Sequence, residues 1–380
     1  MNTRFGIILT IAVAILAVWV WLHFGAKETV PQAGSAEFRI GAILPLSGKA
    51  SQYGQWIQEA LELAREDINR EGGIAGSELV IIYEDDQANP KLATSAMTKL
   101  VGVDKVPVVF GSWASSSVLA QAPIANAAKV VVMCQGISPK VRDAGDFIFR
   151  MLPDASVYME YLVPYAVETA QPKSVLSMYV NNDFGVGLAS SAEQLLREAG
   201  VSEIKKQAFA QGETNFRTQL TVAKEDKPDA IFIFSYAEAG HILKQAEELG
   251  MDVPFFASGT FENPNILTVA GDAANGVVYP YHIDLDSPLP IYQAFQARYQ
   301  ERYGRRAEAF GILAYDGLRI LGEGMRRCGR DGECIRDYLY NVDDYVGITG
   351  KSAFDDHGDI IKELIMKTVR DGEFVRMDSN

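Results

Sequence analysis

Residues 106–134 read VPVVFGSWASSSVLAQAPIANAAKVVVMC. A β-rich apolar run at 106–110 passes through small, hydroxylic residues into a helical stretch at 115–127. A second apolar run follows at 129–134. Strand, helix and strand in such close succession make a βαβ unit, whose two strands lie parallel. The same rhythm extends toward the N-terminus, with strands expected at 38–44 and 79–83. Between them, 53–71 carries Trp56, Ile57, Ala60, Leu61, Leu63, Ala64 and Ile68 at helical spacing. Gly72-Gly73 ends that helix, and Asn89-Pro90 opens another that runs to about residue 103. A second series follows, with strands at 174–180, 203–209 and 230–234 and helices at 187–199, 215–224 and 238–249. Two such series predict an α/β protein with two doubly wound lobes. Helices at 291–303 and 310–327 interrupt the rhythm. Two β-like runs, 361–369 and 374–377, close the chain around Asp371-Gly372.

The chain has 380 residues, 48% hydrophobic and 22% charged, an ordinary globular composition long enough for two or three domains or one large two-lobed unit. Its net charge of −14 argues against a nucleic-acid partner, which calls for a basic patch to replace counterions. Small molecules or proteins remain as partners. The four histidines, His23, His241, His282 and His357, leave little for Ser-His or Cys-His chemistry. Three cysteines exclude a disulfide-dense scaffold. Cys134 ends an apolar run and is expected as a buried free thiol. Cys328 and Cys334 flank Gly-Arg-Asp-Gly-Glu, and a short disulfide is expected there, with two reduced thiols as the alternative.

Residues 5–24 contain no Asp, Glu, Lys or Arg, and Arg4 precedes them. A helix of that length spans roughly 30 Å, the depth of a bilayer's hydrocarbon core. The charge before the run keeps its start cytoplasmic and sends the rest of the chain across the membrane. The run exceeds the apolar core of a usual signal peptide. Gly25-Ala26 has bulky Phe24 in the recognition position, and Gly34-Ser35-Ala36 lies far from the run. A retained membrane anchor is therefore preferred to a cleaved signal, with residues 27–37 as a polar linker. The remainder is placed in the periplasm or on the outer face of the membrane.

In doubly wound sheets, ligands bind beyond the carboxyl ends of the strands. That directs attention to 46–53, 85–90, 111–117, 135–139, 181–187, 235–240 and 258–263. In Gly111-Ser112-Trp113-Ala114-Ser115-Ser116-Ser117, small residues admit a ligand to backbone amides. Hydroxyls add donors, and the helix N-terminus favours an anion. A plain serine cap is the bland alternative. Gly136-Ile137-Ser138-Pro139 reads as a second donor loop or a simple turn. Tyr53, Trp113, Phe184 and Tyr236 fall in strand-to-helix loops and are candidates to wall an apolar ligand. Asp183-Phe184-Gly185-Val186-Gly187 lacks the final glycine of a dinucleotide fingerprint, because Ser190 stands there. Gly350-Lys351-Ser352 lacks the first glycine of a phosphate loop, because Tyr345 stands there. His282 with Asp284 and Asp286, and the acidic run 355–359, read as polar connecting segments rather than metal sites. No cofactor is expected.

With these residues assembled, the chain resembles the extracytoplasmic solute-binding proteins of ABC importers, in the leucine/isoleucine/valine-binding class. The resemblance rests on collinear matches: the 40–48 run IGAILPLSG with Tyr53-Gly54, the 68–76 run INREGGIAG, Asp85-Asp86 and Asn89-Pro90. It continues through the 111–117 loop, Phe149-Arg150, Asp183-Phe184-Gly185, Ala314-Tyr315-Asp316-Gly317 and the 354–359 run FDDHGD. It implies two lobes joined by three crossover strands and closing on ligand like a hinge. Lobe 1 would hold 37–151 and 283–347, and lobe 2 would hold 152–282 and 348–380, with 1–36 outside both. It also implies that Ser115 and Ser116 bind a ligand carboxylate. Gly136 and Ser138 would serve its amino end, and Tyr53, Trp113, Phe184 and Tyr236 would line the cleft.

Two departures from the family pattern bear on the ligand. Ile137 stands where threonine is common. The acid that pairs a ligand ammonium has no clear equivalent: Thr260 aligns best, and Glu262 and Glu238 are the other candidates. The resemblance implies a non-enzymatic binder of a branched-chain or related amino acid, working with ABC permease subunits. A ligand-sensing receptor module is the alternative. If Thr260 is the true equivalent, amides, urea-like compounds and aromatic acids are also open.

Overall fold

The computed structural model describes residues 36–377. The apolar run 5–24 and its linker lie outside the described residues, apart from the last two linker positions. Among the described residues, no helix is long and apolar enough to cross a membrane.

The first sheet is parallel throughout, in the order β2-β1-β3-β4-β5. Its strands are β1 (Glu37–Leu44), β2 (Glu78–Asp85), β3 (Val108–Gly111), β4 (Val131–Cys134) and β5 (Ile148–Arg150). The inner strands are buried on both faces, which is why they read as continuous apolar runs rather than alternating ones. Helices α1 (Ser51–Arg70), α2 (Pro90–Gly102) and α3 (Ser115–Ala128) make the crossovers. The second sheet has the order β14-β13-β10-β9-β8-β6-β7. Its parallel part is β6 (Ser174–Val180), β7 (Glu203–Phe209), β8 (Ala230–Phe234), β9 (Phe255–Ala257) and β10 (Val278–Tyr281). The antiparallel hairpin β13 (Ile365–Arg370) and β14 (Glu373–Arg376) caps one edge. Helices α4 (Ala155–Ala170), α5 (Asp183–Glu198), α6 (Arg217–Asp226), α7 (Glu238–Glu248) and α8 (Pro264–Ala270) accompany this sheet. The two sheets are the cores of two lobes.

The chain passes between the lobes after β5, after β10, and after the small hairpin β11 (Tyr345–Gly347) and β12 (Gly350–Ser352). The helical block that breaks the sequence rhythm, α9 (Pro290–Tyr303), α10 (Ala309–Cys328) and α11 (Gly332–Tyr340), returns to the first lobe. There α10 packs along α1. A side-chain carbon at Gly311 would stand 2.5 Å from the Trp56 carbonyl oxygen, so only glycine permits this approach.

One buried cation joins the first and third crossings. Arg150, at the end of β5, is fully buried. Its Nε donates to Asp359 Oδ1 at 2.7 Å, and its Nη2 bonds Asp359 Oδ2 and, at 3.2 Å, Asp154 Oδ2. Its Nη1 donates to the carbonyls of Ser138 at 3.1 Å and Gly136 at 3.3 Å. Its backbone pairs with the third crossover, donating to Gly358 O at 2.8 Å and accepting from Ile360 N at 3.0 Å. An uncompensated guanidinium in such a place is strongly destabilising, so every donor direction is filled.

Cys328 and Cys334 are joined in a disulfide linking the end of α10 to the first turn of α11. Cys134 is a buried free thiol, its pKa pushed up to about 12 by burial.

Three outcomes are expected. Arg150→Leu leaves Asp359 and Asp154 as buried, unpaired carboxylates, and should lower the unfolding free energy by about 3–5 kcal/mol in urea titration. Intact-mass measurement should find the native chain two hydrogens lighter than the reduced one, and Cys134 should react with thiol reagents only after denaturation.

Candidate ligand-binding site

The loop between β3 and α3 is held rigidly from beneath. The Ser112 hydroxyl donates to the buried carboxylate of Asp86, and Gln121 Nε2 donates to the Gly111 carbonyl at 2.8 Å. Gly111 has φ +113°, and a side-chain carbon there would meet the Ile43 carbonyl oxygen at 2.0 Å. This support fixes where Trp113 and Ser115 point. The cap position of α3 is Ala114, whose side chain cannot accept a hydrogen bond. The reading of a plain serine cap therefore does not hold. The first N–H groups of α3 lack a side-chain cap at the end where the helix dipole is positive.

The aromatic residues form one wall built from both lobes. Tyr53 stacks on Trp113 at 4.3 Å between centroids, and Trp113 meets Tyr236 at 4.8 Å. Tyr236 stacks on Phe184, also at 4.8 Å. Tyr53 and Trp113 follow strands of the first sheet, whereas Phe184 and Tyr236 follow strands of the second. Behind this wall lies a cavity lined by Trp113, Ser115, Gln135, Ile137, Leu152, Tyr158, Phe184, Tyr236, Gly259, Thr260, His282 and Phe310. It is narrow, about 20 Å³ to the centre of a water-sized sphere, so the lobes stand closed on it.

Polar contacts around the rim latch the lobes. The Ser116 hydroxyl donates to Asp183 Oδ2 at 2.8 Å and accepts from the Asp183 amide at 3.2 Å. Lys140 Nζ meets Asp183 Oδ1 at 2.9 Å. Lys49 Nζ donates to Gly212 O at 3.0 Å, and Asn263 Nδ2 donates to the Tyr53 hydroxyl at 3.1 Å.

Of the residues expected from the sequence, Trp113, Ser115, Phe184, Tyr236 and Thr260 line the cavity, and the others are engaged elsewhere. Tyr53 stands behind Trp113. Ser116 faces outward because successive helical residues point about 100° apart, and its hydroxyl belongs to the latch. Gly136 packs against the Ser115 backbone, where a side-chain carbon would lie 2.8 Å from Ser115 Cα, and its carbonyl serves Arg150. Ser138 also turns to the hinge: its carbonyl accepts from Arg150, and its amide donates to Ser115 Oγ at 3.1 Å. Glu262 is not an ammonium partner in this arrangement. Its carboxylate is buried against Lys367 Nζ and the Tyr279 hydroxyl, outside the cavity. Glu238 accepts the amides of Gly212 at 2.6 Å and Tyr236 at 2.9 Å, closing its own helix start. Thr260 donates to Ser235 O at 2.6 Å and pairs with Ser258 Oγ at 2.8 Å.

Several lining residues carry no individual signal in the sequence. Gln135 and Gly259 lie in strand-to-helix junctions, but nothing in their residue type marks them there. Leu152, Tyr158 and Phe310 belong to the crossovers and their helices, outside any such junction. His282 opens the connection that carries Asp284 and Asp286, but unlike those neighbours it does not face solvent. Instead it is buried just past β10, its Nδ1 3.1 Å from the Tyr158 hydroxyl. Burial, helped by the Lys367 charge, lowers its pKa to about 3, so the imidazole is neutral.

This depressed value has a measurable consequence. Between the unfolded value of 6.5 and about 3, the unfolded chain binds one more proton at this site than the folded one. His282 thus contributes stability that is present above pH 6.5 and lost as pH falls toward about 3. In urea titrations across that range, His282→Phe should show a shallower loss than the native chain, by up to about 1.4 kcal/mol per pH unit.

Comparison with known proteins agrees with this architecture. The family model described as periplasmic binding protein matches residues 37–373. The Leu/Ile/Val-binding protein BraC3 of Rhizobium johnstonii is 25% identical over 333 residues, covering 86% of this chain and 90% of that one. The leucine-binding protein LivK of Thermotoga maritima superposes with a TM-score of 0.84 at 27% identity, over 90% of this chain and 97% of that one. A solute-binding protein of an ABC transporter from Rhodopseudomonas palustris, solved with 3,4-dihydroxybenzoic acid, gives 0.79 at 25% identity, over 90% and 96%. With nearly the whole described chain matched and both lobes superposed, this protein belongs to the periplasmic binding protein family.

Proposed function

We propose that the protein is the solute-binding component of an ABC importer, capturing a small carboxylate with an apolar body between its lobes. The observation that carries this reading is the cavity itself, whose wall is contributed by both lobes and whose floor includes Ser115 at the uncapped start of α3. The helix start is suited to a carboxylate, with donors and partial positive charge converging where no cation is needed. Trp113, Phe184 and Tyr236 supply apolar surface for the body of the ligand.

The lobes are taken as 37–151 with 283–347 and 152–282 with 348–380, turning about the crossovers. Ligand touching both favours the closed form in proportion to the contacts that only that form makes. The permease then distinguishes closed from open. Family membership supports a location outside the cytoplasm for the folded part, and residues 5–24 are read as the segment that exports it and tethers it to the membrane. The role is one of binding and release without turnover. BraC3, LivK and the Rhodopseudomonas palustris protein are described by Leu/Ile/Val, leucine and 3,4-dihydroxybenzoic acid respectively, all small carboxylates with apolar bodies. Branched-chain amino acids and aromatic acids therefore head the test set.

The test is thermal denaturation of the full-length protein against amino acids, aromatic acids, amides and urea. A true ligand at 100 times its dissociation constant should stabilise the fold by about 2.7 kcal/mol. Ser115→Ala should then weaken that ligand by about 10-fold in calorimetry, and should lower the unliganded midpoint modestly because the buried Ser138 amide loses its acceptor. A panel without a single stabilising compound overturns the reading.

A further inference from the structure

Two buried polar atoms in the cavity wall have no hydrogen-bond partner among the described residues: Gln135 Oε1 and His282 Nε2. Gln135 is 2% exposed and His282 4%. They flank one residue, since Gln135 Nε2 donates to the Phe310 carbonyl at 2.8 Å and the His282 ring lies 5.5 Å from the Phe310 ring. An orphaned polar atom so deeply buried is costly, and a ligand group that satisfied it would recover that cost.

The chemistry of the pair is defined by what surrounds it. The amide nitrogen of Gln135 is spent on a carbonyl, so the atom left over is an acceptor. The neutral imidazole of His282 meets the Tyr158 hydroxyl at Nδ1. A phenol donating to Nδ1 leaves the ring proton on Nε2, which is then a donor. One acceptor and one donor in the lining of one cavity offer the complement of a hydroxyl group, which donates and accepts.

The charge balance points the same way. The cavity lining contains no Asp, Glu, Lys or Arg. The nearby acids are committed: Glu238 to two amides, Glu262 to Lys367 and Tyr279, and Asp183 to Ser116 and Lys140. A ligand carboxylate has the start of α3, but a ligand ammonium would be buried without a counter-charge.

We infer that the ligand is a hydroxylated aromatic monocarboxylate without an amino group, its hydroxyl bound by His282 and Gln135. This rests on the solute-binding reading and names the class of ligand within it. The ring packs against Trp113, Phe184 and Tyr236 in a cleft opened wider than the cavity of about 20 Å³ seen here, and the carboxylate takes the α3 start.

Calorimetry on the full-length protein tests it with benzoate, 3- and 4-hydroxybenzoate, leucine and isoleucine. At least one hydroxybenzoate should bind about 10-fold or more tighter than benzoate, and the two amino acids should bind more weakly than either. In Gln135→Met and in His282→Phe, the ratio of hydroxybenzoate to benzoate affinity should shrink to within about 3-fold, whatever the change in benzoate affinity itself. Leucine or isoleucine binding more tightly than the aromatic acids overturns the inference, as does native protein indifferent to the hydroxyl. Either result leaves the solute-binding reading intact. Only failure of every small molecule in the wider panel removes both. If a variant fails to fold, the native panel still decides.

Discussion

The buried guanidinium of Arg150 is the constraint on which the rest of the molecule depends. A charge removed from water needs a full set of partners, and Arg150 takes them from separate parts of the chain: Asp359 in the third crossover, Asp154 at the start of α4, and the carbonyls of Gly136 and Ser138 beyond β4. The hinge is thereby fixed to the loop that borders the cavity. Ser138 hands the link onward, since its amide donates to Ser115 Oγ and its carbonyl accepts from Arg150. Hinge, loop and helix start form one connected polar path. A change at any member alters how the site is presented.

Around this path the molecule separates two kinds of contact. Polar groups at the rim, Ser116, Lys140 and Asp183 among them, hold the lobes together through bonds that water can replace as they part. Aromatic rings inside make the wall, and stacking between Trp113, Tyr236 and Phe184 gains from excluding water when the lobes close. The rim costs little to open, whereas the wall rewards closure. That division suits a protein that must grip a ligand and release it.

The residues that departed from expectation did so for one recurring reason, which is competition for the same polar atoms. Ser116 is adjacent to Ser115, but the helix turns it toward Asp183. Glu262 is two residues from Thr260, but Lys367 comes down beside it from β13 and claims its charge. Gly136 and Ser138 lie in the right loop and face the wrong way, because Arg150 needs their carbonyls. The cavity is left electrically neutral, and its polar character rests on Ser115, Thr260, Gln135 and His282.

Local sequence determined the α/β rhythm, the two lobes, the helix-starting loops and the aromatic residues within them. Each of these depends on periodicity and on residue types a few positions apart. It also indicated Cys134 as buried and Cys328 with Cys334 as a pair, from apolar context and from short spacing. Tertiary structure alone decided which side chains meet. Arg150 and Asp359 are separated by 209 positions, Glu262 and Lys367 by 105, and Tyr158 and His282 by 124. No local pattern encodes such meetings. Burial makes each of them obligatory, because a buried charge or donor must find a partner wherever the folded chain brings one.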